Sequence, residues 1–301
     1  RLELRPIGTR GRHAQHRQLQ SGNSGRAPIV TVGESGLQQF LHAGRVQLTF
    51  NGREATRGVY SAELVRESEA STLEAYMADR VPYFYKSPNE IAELFRGGYF
   101  LSAVADALRK LPIAESFRES HFGEILAGVY GEEILGLKLL YSKLRLLTAE
   151  NANANKMDLL FFRPGTDPAE FLFAEVKSSM KVAADGMPPG HDHSCFASLF
   201  TSLNGYRESD LEFDIALIKE RMEGLDPADA DAIHRALVPH TLRQIQYAGF
   251  CVIDASTSDP HEVSILGTRA NEKQFDVDLL CVTELPGVVA TTFDKLQMGG
   301  R

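Results

Sequence analysis

The sequence predicts an α/β (α+β) fold in which a mixed sheet is flanked by helices. Two short runs rich in Leu and Phe, at 156–162 and 171–177, flank a turn containing Pro and Gly, which predicts strand, turn and strand. Segments with helical spacing of apolar residues lie before and after this hairpin, and further apolar runs lie near the C-terminus. Strands interleaved with helices around one hairpin favour a layered sheet.

The chain divides into three predicted segments. Residues 1–27 are rich in Arg, Gln, Gly and Ser without periodicity, which is typical of a flexible basic tail. Residues 28–112 predict a smaller N-terminal α+β module, and Pro112 marks its boundary with a larger domain at 113–301. The module lacks a phosphate-binding glycine loop and a dinucleotide fingerprint, so docking or regulation is its expected role.

The predicted elements follow from periodicity along the chain. In the module, strands are predicted at 28–32 and 45–50, and helices at 61–80 and 89–111. In the larger domain, helices are predicted at 115–147, 195–203, 210–222 and 227–248, and strands at 249–255, 261–266 and 275–283. These strands are expected to complete the sheet that contains the hairpin.

The hairpin is expected to bring charged side chains together. If the turn closes symmetrically, Phe162 faces Phe171 and Asp158 faces Glu175. Directly opposed residues on one face lie about 5 Å apart at Cβ. Lys177, two residues beyond Glu175, points to the same face of its strand. Two carboxylates and one ammonium group are therefore predicted at one end of an apolar hairpin.

A divalent cation would relieve the repulsion between these carboxylates. Like charges beside Leu and Phe are unfavourable when buried, and Mg²⁺ is commonly held by one or two carboxylates with water and substrate phosphates. Lys177 can then orient or deprotonate a water, or neutralise charge in the transition state. The alternative is a solvated Glu175–Lys177 pair, but the residues predicted on the same face are apolar: Leu160, Phe162, Phe171 and Phe173. The pattern favours metal-assisted phosphodiester hydrolysis.

A further carboxylate, Glu124, lies on the predicted helix 115–147. Glu124, Gly128 and Gly131 share one stripe of that helix, and glycine inside a helix costs about 1 kcal/mol relative to alanine. Close approach of the helix to the sheet would account for the glycines and would bring Glu124 toward the metal. The alternative is that Glu124 is a solvated helix carboxylate.

The hairpin resembles the core motif of the PD-(D/E)xK nucleases, which include restriction endonucleases and RecB-like nucleases. The matching residues are Asp158 and, after sixteen intervening residues, Glu175-Val176-Lys177. Met157 stands where that motif has proline. Many members place a metal-site Glu on a helix before the Asp strand, and His121-Phe122-Gly123-Glu124 matches that arrangement. The resemblance implies a restriction-endonuclease-like core with Lys177 beside the attacking water. It implies that Mg²⁺ or Mn²⁺ is held by Asp158, Glu175, the backbone carbonyl of Val176 and Glu124.

The wider arrangement is similar to HamA, the nuclease subunit of the Hachiman anti-phage system. This likeness spans roughly residues 115 to 290 and adds Lys156-Met157-Asp158 and the distal Phe275-Asp276-Val277-Asp278 strand to the features above. It implies a cytoplasmic effector that cleaves DNA and is restrained by a helicase partner, HamB, which consumes ATP.

Composition and charge limit the remaining classes. The chain is 43% hydrophobic and 24% charged, as expected of a globular protein, and it contains no apolar run long enough for a membrane helix. The net charge of −8 counts against an independent grip on nucleic acid, so a partner is expected to supply DNA affinity. His191 and His193 are alternative ligands in a Pro- and Gly-rich loop, although Mg²⁺ avoids imidazole. Two other functions stay open: a stand-alone restriction or repair nuclease, and an inactive nuclease-fold interaction module. RNA also stays open as the substrate of a nuclease, since the phosphodiester chemistry is the same.

Overall fold

The computed structural model describes residues 36–47, 49–50, 53–54, 58–86, 88–97, 105, 107–147, 157–182, 193–206, 227–237, 245–257 and 275–299. The strands, numbered in chain order, are β1 (Leu41–Gln47), β2 (Thr49–Phe50), β3 (Arg53–Glu54), β4 (Val59–Leu64), β5 (Lys138–Ser142), β6 (Leu159–Arg163), β7 (Glu170–Ser179), β8 (Ile245–Asp254) and β9 (Asp276–Val282). The α-helices are α1 (Leu73–Tyr85), α2 (Pro88–Arg96), α3 (Glu115–Glu133), α4 (His193–Gly205), α5 (Pro227–Ala236) and α6 (Leu285–Gly299). Short 3₁₀ helices lie at Gly36–Phe40, Lys143–Leu146 and Ala255–Thr257.

A seven-stranded mixed sheet organises the molecule, which confirms the predicted fold class. Its strand order is β1-β4-β9-β8-β7-β6-β5, and β2 pairs with β3 in a separate ladder. The central pairs β4–β9, β9–β8 and β8–β7 are parallel, whereas β1–β4, β7–β6 and β6–β5 are antiparallel. The predicted hairpin therefore joins a parallel centre to an antiparallel edge.

Helices cover both faces of the sheet and so create two apolar layers. Residues of α1, α3 and α6 share one core cluster with Leu159 and Phe161 of β6. Residues of α4 and α5 share the other cluster with Leu160 and Phe162. The alternation along β6 assigns successive side chains to opposite faces, and strands buried on both faces read as continuous apolar runs.

The predicted register of the hairpin is confirmed. Phe162 pairs with Phe171 and Leu159 pairs with Ala174 between β6 and β7. The turn between them contains Gly165 at φ 75°, a left-handed backbone conformation that favours glycine. Asp158 and Glu175 are each one residue beyond the last pair, so the same register places them opposite one another.

The predicted helix 115–147 is wrong in its second half. α3 ends at Glu133, and Gly136 follows at φ 66°, the left-handed conformation that commonly terminates a helix. The chain then forms β5, which pairs with β6 at the edge of the sheet. Residues 138–146 therefore form a strand and a 3₁₀ helix.

Two other predicted helices are partly wrong, because sheet pairing overrides local helix propensity. Within 61–80, the first residues belong to β4, which is paired on both sides, and only α1 is helical. Within 227–248, the helix ends at Ala236 and the last residues belong to β8. The predicted strand 249–255 lies within β8 apart from its last residue, 275–283 contains β9, and helix 195–203 lies within α4.

Some predicted elements lie partly or wholly outside the described residues. The strand at 45–50 corresponds to the end of β1 and to β2. The helix at 89–111 includes all of α2 except its first residue, whereas 98–104 and 106 fall outside. The strands at 28–32 and 261–266 and the helix at 210–222 also fall outside, as does the predicted tail at 1–27.

The sheet and its core continue across the predicted domain boundary at Pro112. β4 pairs in parallel with β9 along its whole length, and Leu64, Leu73 and Met77 share a core cluster with Phe122. The division of the chain at Pro112 stays a prediction. Among the described residues, none of the helices combines the length and apolar character that a membrane crossing requires.

Candidate active site

Asp158 lies at the end of the hairpin, immediately before β6, and only 1% of its surface is exposed. Its backbone carbonyl accepts a hydrogen bond from Lys143 N–H (3.0 Å), which extends the β5–β6 pairing by one residue. Its carboxylate Oδ2 accepts a hydrogen bond from Val176 N–H (2.6 Å) on β7. Backbone groups of two neighbouring strands therefore hold Asp158 in place.

Glu175 and Lys177 lie on β7, opposite and beyond Asp158. Lys177 Nζ is 2.7 Å from Glu175 Oε1, and their side chains are 29% and 12% exposed. The residues predicted on their face all belong to the core cluster beneath α4: Leu160, Phe162, Phe171 and Phe173. The pair therefore lies at the border between an apolar layer and solvent.

Glu124 reaches the same site from the opposite layer. It lies on α3, where every residue from His121 to Gly131 is buried. Its Oε1 lies 3.3 Å from Lys143 Nζ and 3.5 Å from Ser120 Oγ. Within the described part of the chain, its Oε2 has no hydrogen-bond partner. Glu124 is thus a buried carboxylate and not the solvated one that the alternative reading required.

The glycines of α3 allow the close packing that was predicted, although only partly against the sheet. A Cβ at Gly131 would lie 2.7 Å from the Phe161 ring of β6, as expected. A Cβ at Gly128 would instead overlap the ring of Phe84 on α1. Gly123 lies against Ser178, whose hydroxyl donates to Glu119 O (2.9 Å), and so ties α3 to β7.

Lys143 is the site residue that the sequence reasoning missed. Its ammonium group forms an ion pair with Asp158 Oδ1 and with Glu124 Oε1, and its side chain is 14% exposed. The predicted helix extended to residue 147, so Lys143 was not expected near the hairpin. Gly136, followed by the short apolar run 138–142, was the available signal for a helix end and a new strand.

The acidic side chains of the site shift one another's pKa values. Burial, together with Asp158, raises the pKa of Glu124 well above its ordinary value. Burial and the same neighbour raise the pKa of Glu175, although Lys177 opposes the shift. Burial disfavours the charged form of Lys143, but Asp158 and Glu124 outweigh it and raise the pKa of the amine. The three carboxyl groups of the site outnumber its two lysines, and burial favours the protonated form of Glu124.

Lys177 is held in its charged form. Burial again opposes ionisation, but Glu175 and Asp158 raise its pKa above the ordinary value. An ammonium group has three donors and no acceptor. Of the roles predicted for Lys177, orienting a water and stabilising negative charge fit this state better than removing a proton.

The donor set suits a hard divalent cation. Oxygen ligands are those that Mg²⁺ and Mn²⁺ prefer, and Glu124 Oε2 is a buried oxygen without a hydrogen-bond partner among the described residues. As the side chains stand, no three Asp, Glu, His or Cys side chains of the described residues cluster as a metal-binding group. Lys143 lies between Glu124 and Asp158. Val176 contacts Asp158 through its N–H, and a ligand role for its carbonyl stays a prediction.

A cleft of about 510 Å³ opens beside Lys177. It is lined by Lys177 of β7 and by Ala197, Ser198, Thr201 and Ser202 of α4. Small hydroxyl-bearing side chains leave room for a substrate and can donate hydrogen bonds to it. The cleft therefore opens onto Lys177. His191 lies outside the described residues, and so does the side chain of His193.

Fold and site together define an α+β protein with a buried cluster of carboxylates and lysines at the end of a hairpin. The family model for HamA matches residues 39–283. The chain therefore belongs to the HamA family, and this membership indicates a role in anti-phage defence. A search of curated proteins found no match.

Proposed function

We propose that this chain is a metal-dependent nuclease that hydrolyses DNA phosphodiester bonds as the effector subunit of an anti-phage complex. The observation that carries the proposal is the convergence of three acids beside Lys177: Asp158 just before β6, Glu175 on β7 and Glu124 on α3. Membership of the HamA family supports the defence role. A helicase partner that restrains the nuclease is part of the same proposal and follows from that family resemblance.

In the proposed reaction, a water oxygen attacks the phosphorus atom and the bond from phosphorus to the leaving sugar oxygen breaks. A divalent cation held by the carboxylates would polarise the phosphate and lower the pKa of a bound water. Lys177, charged and at the solvent border, orients the attacking water and stabilises the additional negative charge. Backbone groups hold Asp158, which fixes the position of this one proposed ligand.

The DNA strand is proposed to reach the site along the cleft beside Lys177. A phosphodiester there would meet the ammonium group of Lys177 and the exposed hydroxyl-bearing face of α4, represented by Ser198 and Thr201. Because the net charge is −8, a partner is proposed to supply most of the DNA affinity. Replacing Thr201 with Glu is expected to weaken cleavage by repelling phosphate.

The decisive experiment is plasmid cleavage with Mg²⁺, with and without the helicase partner. Glu175→Gln and Lys177→Ala are expected to reduce cleavage by at least about a hundredfold, the scale seen when a single transition-state-stabilising group is removed. Glu170→Gln and Lys138→Ala are the matched controls. These residues lie on β7 and β5 and pair with Arg163 and Asp229, away from the site. Full cleavage by the Glu175 and Lys177 variants would refute the assigned roles.

A catalytically inactive interaction module is the second candidate, and the position of Lys143 favours it. An ammonium group that pairs with both Asp158 and Glu124 can stabilise the fold with no metal at all. Calorimetry with Mn²⁺ separates the two candidates. Binding that disappears in Asp158→Asn supports the nuclease, whereas no binding by the intact chain supports the inactive module.

A further inference from the structure

Lys143 places a positive charge between two buried acidic side chains of the site. Its ammonium group contacts Asp158 Oδ1 and lies 3.3 Å from Glu124 Oε1, so it links β6 to α3. Its backbone N–H also donates to Asp158 O, which fixes the position of the residue independently of its charge. Its side chain is mostly buried, so solvent screens these contacts weakly.

The geometry points to Lys143 as an internal counter-cation that competes with the divalent metal for Glu124 and Asp158. The inference rests on the proposed function, because it concerns the metal of that site. In the metal-free chain, Lys143 offsets part of the repulsion between these two acidic groups. A metal ion that takes those oxygens must displace the ammonium group, and this displacement lowers its apparent affinity.

Through this competition Lys143 limits metal binding at the site, a role that differs from that of Lys177. Lys177 pairs with Glu175 at the solvent border, beside the cleft. Lys143 instead occupies the inner side, between the two most buried carboxylates. Its removal is expected to leave those carboxylates available to the metal and to remove one repelling charge from the binding position.

Calorimetric titration of the purified chain with Mn²⁺ tests the inference. Lys143→Met is expected to bind Mn²⁺ roughly tenfold or more tightly than the natural chain, because a neighbouring positive charge is removed. Its melting temperature in a chelator is expected to fall, and Mn²⁺ is expected to raise it more than in the natural chain. Lys138→Met is the matched control, since it removes the same charge from the adjacent strand β5, where Lys138 pairs with Asp229 away from the site.

The outcomes are distinct for the inference and for the proposed function. Unchanged or weaker Mn²⁺ binding by Lys143→Met, with binding by the natural chain intact, overturns the inference and leaves the proposed function standing. It would mean that Lys143 orients the carboxylates for the metal. Absence of Mn²⁺ binding in both chains overturns the metal-dependent function and the inference with it.

A second measurement requires no substitution and tests the competition between Lys143 and the metal even if Lys143→Met fails to fold. The natural chain is acetylated briefly with and without Mn²⁺, and the labelling of each lysine is read by mass spectrometry. Mn²⁺ is expected to increase labelling of Lys143 several-fold, because the displaced amine leaves its carboxylate partners. Lys138 provides the internal reference. Protection of Lys143, or unchanged labelling at Mn²⁺ concentrations where calorimetry shows binding, would overturn the inference.

Discussion

His121 shows how burial gives one residue a pH-dependent role. It lies on α3, one turn before Glu124, and only 3% of its surface is exposed. Its Nδ1 is 2.6 Å from the Tyr85 hydroxyl. Burial and the nearby charge of Lys143 lower the pKa of His121 to about 4. The imidazole is therefore neutral at physiological pH, and it joins α3 to α1.

We predict that His121 destabilises the folded chain in acid. Its folded pKa lies below the unfolded value of 6.5, so its contribution to stability is complete above pH 6.5 and is lost as the pH falls toward about 4. The loss is on the order of 3 kcal/mol at most. Urea unfolding of the natural chain and of His121→Gln across this range measures it.

The natural chain should lose more stability than His121→Gln over that interval. The raised pKa of Glu124 acts in the opposite direction, because its stability contribution falls as the pH rises above its ordinary value. Comparing the two chains cancels this second effect, since both retain Glu124. Parallel pH profiles would contradict the role given to His121.

At the scale of the element, α3 is the central helix of the molecule. It contacts β7 through Gly123, α1 through Gly128 and β6 through Gly131, and it carries Glu124 into the site. Its exposed residues lie at its ends, and its central residues 121–131 are buried on every side. The position of Glu124 therefore depends on helix packing on both sides.

Gly128→Ala is predicted to destabilise the protein although alanine is the better helix former. The gain in helix propensity is about 1 kcal/mol, whereas a methyl group that overlaps the Phe84 ring costs about 1–3 kcal/mol. Thermal or chemical unfolding should therefore show a net loss. Gly205→Ala, at the end of α4 with nothing within 4 Å of the new Cβ, is the control and should change stability little. Equal stability of both variants would contradict the packing argument.

At the scale of the whole molecule, the first and last strands of the described chain are joined by an ion pair across β4. β4 lies between β1 and β9 in the sheet. Arg45 on β1 reaches across β4 to Asp278 on β9, with Nε 2.6 Å from Oδ1. The Arg45 guanidinium also lies over the Tyr60 ring of β4, 3.2 Å from its centroid. Segments far apart in sequence thus form one side of the sheet.

We predict that a chain beginning at Ile113 does not fold cooperatively. It loses the β4–β9 ladder and exposes an edge of the parallel centre. It also loses buried core residues from α1, including Leu73, Met77 and Val81. Circular dichroism during urea unfolding should show no sharp transition, whereas a chain beginning at Gly36 should unfold as the full chain does. A cooperative transition in the shorter chain would instead support an independent domain at 113–301.

The local parts of the site were predictable because they depend on neighbours in sequence. The turn containing Gly165 and the apolar runs around it determine the register, and the register opposes Asp158 and Glu175. Alternation along β7 then places Lys177 on the face of Glu175. The presence of Glu124 near the hairpin was suggested by resemblance and by the glycines of α3, although Gly128 turned out to serve α1.

By itself, the sequence determined the hairpin, its register and the identity of the acids at its end, since alternation and turn chemistry act over a few residues. Only the tertiary structure decided that Lys143 lies between Glu124 and Asp158, because this contact requires a helix end at Gly136, an edge strand and the packing of α3 at once. It also decided that β1 and β4 complete the sheet beside β9. Pairings over such distances depend on burial summed across the whole molecule, and no local pattern contains that sum.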